Sequence, residues 1–151
     1  MIELTEAILG AKRKSFLRQR PIFERFAAAS TEDVLALERE LGCSIFPDLR
    51  YWLVTAGFGD LDQTLSIRSS WFNRWSPGNE LDLAIFATDE LADRYAFEPT
   101  SGEIVFFSVG EHGHAKLANS FEEFLSELVR RDYKIIDWTT GLDLQFFESG
   151  T

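Results

Sequence analysis

The sequence is poor in the residue types that build disulfides, metal sites and nucleophilic centres. It holds one cysteine, Cys43, and two histidines, His112 and His114. A single cysteine excludes an intrachain disulfide and suits a reducing cytoplasm. No apolar run approaches the roughly 20 residues a membrane-spanning helix needs. A secretory signal is not expected either, because the basic Lys12, Arg13 and Lys14 follow the short apolar stretch at Ile8 and Leu9 instead of preceding it. The phosphate-binding glycine loop is missing, with Gly57-Phe58-Gly59 only a fragment of one, and so is the Gly-x-Ser-x-Gly elbow. No Pro/Gly/Ser-rich linker, repeat or low-complexity tract divides the chain, so residues 1–151 read as one domain.

Apolar and acidic residues are plentiful. Apolar types make up 45%, including 14 Phe and 4 Trp, enough for a sizeable core without cross-links. The net charge is −10, unevenly spread: residues 1–26 carry +3 and the remaining 125 carry −13. An acidic body repels nucleic acid and anionic membranes and attracts a basic protein, although solubility alone also accounts for it.

Periodicity predicts a helix over residues 5–20, capped by Thr5, as part of an N-terminal helical extension spanning 1–29. Ser30 and Asp33 cap a clearer helix whose stripe is Val34, Leu37 and Leu41, with Gly42 ending it. Pro47 opens a third helix ending at Gly57. The period then shortens. Strands are expected at Leu65–Ile67, Leu81–Phe86, Arg94–Phe97, Ile104–Val109 and His114–Ala118, with a turn or short helix at Asp89–Ala92. Ser120 and Glu123 form a capping box for a helix bearing Phe121, Phe124, Leu125 and Leu128. The tail, 131–151, adds an edge strand. This order predicts an α+β fold with a mostly antiparallel central sheet flanked by helices.

Three groups are candidate sites. His112 and His114, beside Glu111, would share one face of a strand and hold a metal, but a zinc site needs a third protein ligand. They also fit an ordinary polar turn at Gly110–Gly113. The run Trp71-Phe72-Asn73-Arg74-Trp75 packs three large aromatics and an arginine into five residues beside Arg68, the composition of a binding hot spot. The alternative is that its rings fold inward and cap the sheet. Acids cluster at Asp60/Asp62, at Glu80/Asp82 and at Asp89/Glu90/Asp93, either as a solvated face or as a patch for a basic partner. Cys43 reads as a structural thiol. The 25 carboxylates follow no catalytic spacing, so no enzyme and no cofactor is expected.

Ordered motifs add a family resemblance. Val34–Gly42 ends in Leu-Gly, Ile45-Phe46-Pro47-Asp48 opens Leu49–Leu53, and Ala56-Gly57-Phe58-Gly59 forms a turn. Then come Leu83-Ala84-Ile85-Phe86, Tyr95-Ala96-Phe97, Ile104–Ser108 and the Ser120-Phe121-x-x-Phe124-Leu125 helix. This set, over residues 30–130, resembles the SUKH superfamily. Two departures point to a divergent subgroup: Ala56 replaces the family's turn asparagine, and Thr88–Arg94 lacks its glycines. The resemblance implies an α+β fold and a protein partner. Many bacterial members look like immunity proteins that bind and block a toxin, often a nuclease. Fungal relatives act as interaction modules in cell-wall signalling. The family carries no catalytic residues over to this chain.

Overall fold

A computed structural model describes residues 1–76 and 81–146. The chain runs α1 (Ile2–Gly10), β1 (Lys12–Ser15), β2 (Arg18–Pro21), β3 (Phe23–Ala27), α2 (Thr31–Leu41), α3 (Pro47–Thr55), β4 (Phe58–Leu61), β5 (Leu65–Ile67), a 3-10 turn at Ser69–Trp71, and β6 (Asn73–Trp75). It continues through β7 (Leu83–Asp89), β8 (Arg94–Phe97), β9 (Ile104–Ser108), β10 (Gly113–Ala118), α4 (Phe121–Arg130), α5 (Ile135–Thr140) and β11 (Gln145–Phe146). Nine strands form one sheet in the order β11-β10-β9-β8-β7-β5-β4-β3, with β6 also paired to β7. Every pairing is antiparallel, so the fold is α+β, as the order of periods predicts. Among the described residues no helix is long and apolar enough to cross a membrane.

Local signals placed most helix ends. Ser30 Oγ accepts from Asp33 N at 3.1 Å while Ser30 N donates to Asp33 Oδ2 at 2.8 Å, which satisfies two otherwise orphaned donors. Gly42 closes α2 with φ +69°, a conformation a side chain would strain. Ser120 caps α4 by accepting from Glu123 N at 3.1 Å, but the Glu123 carboxylate reaches back to Asn119 N and not to Ser120. Gly57 is more constrained than its turn position suggests. Its φ is +93°, and a Cβ there would sit 2.4 Å from the Ala27 carbonyl oxygen.

The predicted helix over 5–20 is not formed. α1 stops at Gly10, and the chain turns back as the β1–β2 hairpin, with Lys12 opposite Pro21 and Ser15 opposite Arg18. Long-range ion pairs explain the override. Arg13 bridges Asp62 at 3.0 Å and Asp132 at 2.8 Å, and Arg20 reaches Asp62 at 2.9 Å. Arg13 and Arg20 are direct cross-strand partners, so both lie on the hairpin face that meets the body. The tail differs too. Before the short edge strand β11 comes α5, whose Ile135, Trp138 and Thr139 are buried at helical spacing.

Among the described residues, all five α-helices pack on one sheet face. The main core joins Ile8 of α1, Val34 and Leu37 of α2, Trp52 and Leu53 of α3, Phe124 and Leu128 of α4, and Ile135 of α5 to the inward strand residues. A second cluster lies on the opposite face and consists of strand residues alone: Leu83, Ile85, Ala96 and Val105, with Trp75 packed over them.

Candidate functional site

The helix-free face carries part of the residues nominated from sequence: Asp60, Trp75 and His114 by register, with Trp71 beside Arg68. Its side chains follow from register. Asp60 is opposite Ser66, Ser66 opposite Thr88, Thr88 opposite Arg94, Arg94 opposite Phe107, and Phe107 opposite His114. Antiparallel partners share a face, so these residues form one band across the sheet.

The members of the aromatic run divide between the two sides of the sheet: Trp75 is opposite Leu83 of the helix-free cluster, whereas Arg74 is opposite Ala84 of the main core. Phe72 is 5% exposed and packs edge-on to Phe58 at 6.2 Å between ring centres. It is a core residue and not a contact residue, which corrects its nomination. Arg74 is committed internally: Nε donates to Asp82 Oδ1 at 2.6 Å and Nη1 to the Leu41 carbonyl at 2.9 Å, which caps the end of α2. Trp75 lies half-buried over Phe107, with ring centres 4.1 Å apart. Trp71 keeps a partly open ring. The Arg68 guanidinium is 5.0 Å from the Trp71 ring and 4.0 Å from the ring of Phe26, an edge-strand residue left 52% exposed. Asp60 holds Arg68 from the side at 4.0 Å and accepts a short hydrogen bond from the Ser66 hydroxyl. The result is an arginine between two accessible rings, with a carboxylate fixing its charge. The Arg68–Trp71 neighbourhood was legible in the sequence. Phe26 was not, because it arrives from β3, within residues whose periodicity suggests a helical extension.

Most nominated acids have structural duties. Asp62 neutralises Arg13 and Arg20. Asp93 accepts from Val109 N at 3.0 Å and ties two hairpin turns together, and burial raises its carboxyl above the usual range. Asp89 is buried at 7% exposure, so its nomination as a partner contact is corrected. Its Oδ1 accepts from Leu91 N and Asp93 N, and its Oδ2 from the Tyr95 hydroxyl at 2.7 Å. Glu90, at the same turn, is exposed. Glu80 lies outside the described residues, while Asp82 serves Arg74.

The histidines do not assemble a centre. His112 sits at a turn with φ +54°, and His114 lies within β10. Among the described residues no three His, Cys, Asp or Glu side chains are grouped as a metal site would need. Burial lowers the His114 pKa and raises that of Cys43, the direction opposite to thiolate activation.

The Asp89–Tyr95 pair gives a pH signature. Burial first, then the Asp89 charge, raises the Tyr95 pKa above its ordinary value near 10. An unfolded tyrosine ionises at about pH 10 while the folded one stays neutral, so its contribution is complete below about pH 10 and lost above it. Urea unfolding should show stability falling by up to ~1.4 kcal/mol per pH unit in that range from this group. Tyr95→Phe should flatten the slope, leaving a remainder from Tyr133 and Cys43, whose pKa values burial also raises. An unchanged slope in the variant would refute the assignment.

The family comparison agrees with this layout. Residues 28–127, most of the chain, match the model of the SMI1 / KNR4 family (SUKH-1), from the start of α2 through most of α4. No curated protein and no solved structure matched. With an α+β fold of helices on one antiparallel sheet and a family model spanning most of its length, the chain belongs to the SMI1 / KNR4 family, SUKH-1.

Proposed function

We propose that this chain is a non-catalytic protein-binding domain, an immunity protein that binds and neutralises a cognate bacterial toxin through the helix-free sheet face. The observation that carries the reading is the Arg68 guanidinium held between the partly open rings of Phe26 and Trp71. Trp and Arg are the side chains that dominate binding hot spots, and here they are held at the 3-10 turn between two strands of the sheet. Family membership supports a protein partner. The −13 carried by residues 27–151 favours a basic one, such as the nucleic-acid site of a nuclease toxin. The reading places the protein in the cytoplasm and requires no metal or other cofactor. A regulatory module of the same fold is the second reading, supported by the same family membership.

Co-expression with a candidate toxin domain, sought among the genes that adjoin this one, tests it. A stable complex and restored growth are expected; neither would sink the proposal. Trp71→Ala should weaken that complex by more than about 1 kcal/mol, roughly fivefold or more in Kd, with the unfolding midpoint unchanged. Trp75→Ala should lower stability as well, because its ring packs on Phe107.

A further inference from the structure

The β1–β2 hairpin takes no part in the sheet or in the face described above. It is an arm pinned at its base and free at its tip. Arg13 and Arg20 anchor it to Asp62 and Asp132. Lys12, Lys14 and Arg18 are exposed, and none has an ion pair with a described residue. The two-residue turn carries Phe16 at 99% exposure and Leu17 at 87%, side chains that monomers rarely hold so fully in water.

A complementary surface exists on the same molecule. The β7–β8 turn presents Glu90 and Leu91, and the β9–β10 turn presents Val109 and Glu111, all exposed, with Leu91 at 62% and Val109 at 43%. Asp93 joins the two turns through its bond from Val109 N at 3.0 Å. Arm and socket lie at one end of the sheet: Asp62 holds the arm, and two residues on, the Thr64 carbonyl accepts from Glu90 N at 3.0 Å. We propose that two copies of this chain associate about a two-fold axis, the cationic, Phe16-tipped arm of each docking on the acidic, Leu91/Val109 socket of the other. Two elements at one end of a molecule can exchange reciprocally, which closes a dimer. An anionic lipid surface fits less well. The body, which carries −13 over residues 27–151, would face the same anionic plane and be repelled by it. The association needs no other protein.

Sedimentation equilibrium of the full chain, from micromolar to submillimolar concentration, should show a dimer. Phe16→Asp should raise its dissociation constant by about tenfold per contact, and so about a hundredfold for the two, without altering the circular dichroism spectrum or thermal midpoint. Lys12→Glu/Lys14→Glu and Glu90→Lys/Glu111→Lys should each be monomeric alone. Mixing these two variants should restore a heterodimer, because both of its contacts regain opposite charges. A wild-type chain that stays monomeric throughout overturns the proposal, and binding of phosphatidylglycerol vesicles through Phe16 would then assign the arm to lipid. A dimer indifferent to Phe16→Asp, or a mixture that does not associate, overturns it equally.

Discussion

Asp89→Ala should destabilise the protein by about 3 kcal/mol, read from the urea midpoint at neutral pH. The substitution removes the acceptor for three donors at once. Tyr95 OH lies 2.7 Å from Oδ2, and Leu91 N and Asp93 N lie 2.9 and 3.1 Å from Oδ1. Tyr95 is fully buried, so its hydroxyl has no route to solvent. An unsatisfied buried donor costs about 1–3 kcal/mol, and the turn N–H groups recover part of their loss from water. Asp89→Asn keeps one carbonyl acceptor for the turn and should cost about half as much. Combining Asp89→Ala with Tyr95→Phe should cost less than the sum of the singles, by about 1 kcal/mol or more. Additive losses would mean that the hydroxyl is satisfied elsewhere. Since Asp89 is internal, its loss should affect partner binding only through the folded fraction.

Asp89 also shows why the acidic clusters were hard to read. A carboxylate that organises a hairpin turn and one that faces a partner look alike in a sequence. Here Asp62, Asp89 and Asp93 stabilise local backbone or long-range arginines, while Glu90 between them points outward. Helices α2 and α4 were legible because capping side chains and apolar spacing agree over several turns, and α3 because Pro47 opens it ahead of its apolar stripe. The hairpin was not, since Phe16-Leu17 lacks the glycine or asparagine that marks a two-residue turn. Its geometry depends on Asp62 and Asp132, 49 and 119 residues away from Arg13. The aromatic run was half legible. Composition located a hot-spot candidate, but the packing that separates buried Phe72, set against Phe58 at the end of a 3-10 turn, from partly open Trp71 is tertiary.

Trp52→Ala should cost about 3–5 kcal/mol, the largest effect expected of a single truncation here. Trp52 is 0% exposed and sits where three parts of the chain converge. It lies on α3, its ring meets Phe23 of β3 edge-on at 5.1 Å, and Phe121 of α4 at 6.4 Å. Phe121 in turn packs on Phe86 of β7 at 5.6 Å. Truncation therefore opens a cavity between the edge of the sheet and the helix layer, where fixed backbone on three sides prevents collapse. Trp52→Phe should lose far less, about 1–2 kcal/mol, because Nε1 has no acceptor among the described residues and only ring volume is removed. Both variants can be ranked by denaturant midpoint. If alanine were tolerated as well as phenylalanine, the junction would not be the rigid packing centre described here. The candidate contact face bears on the same measurement, because Phe26 follows Phe23 on the strand that Trp52 supports. Loosening β3 should weaken the ring–guanidinium stack at Arg68 before the rest of the fold is lost.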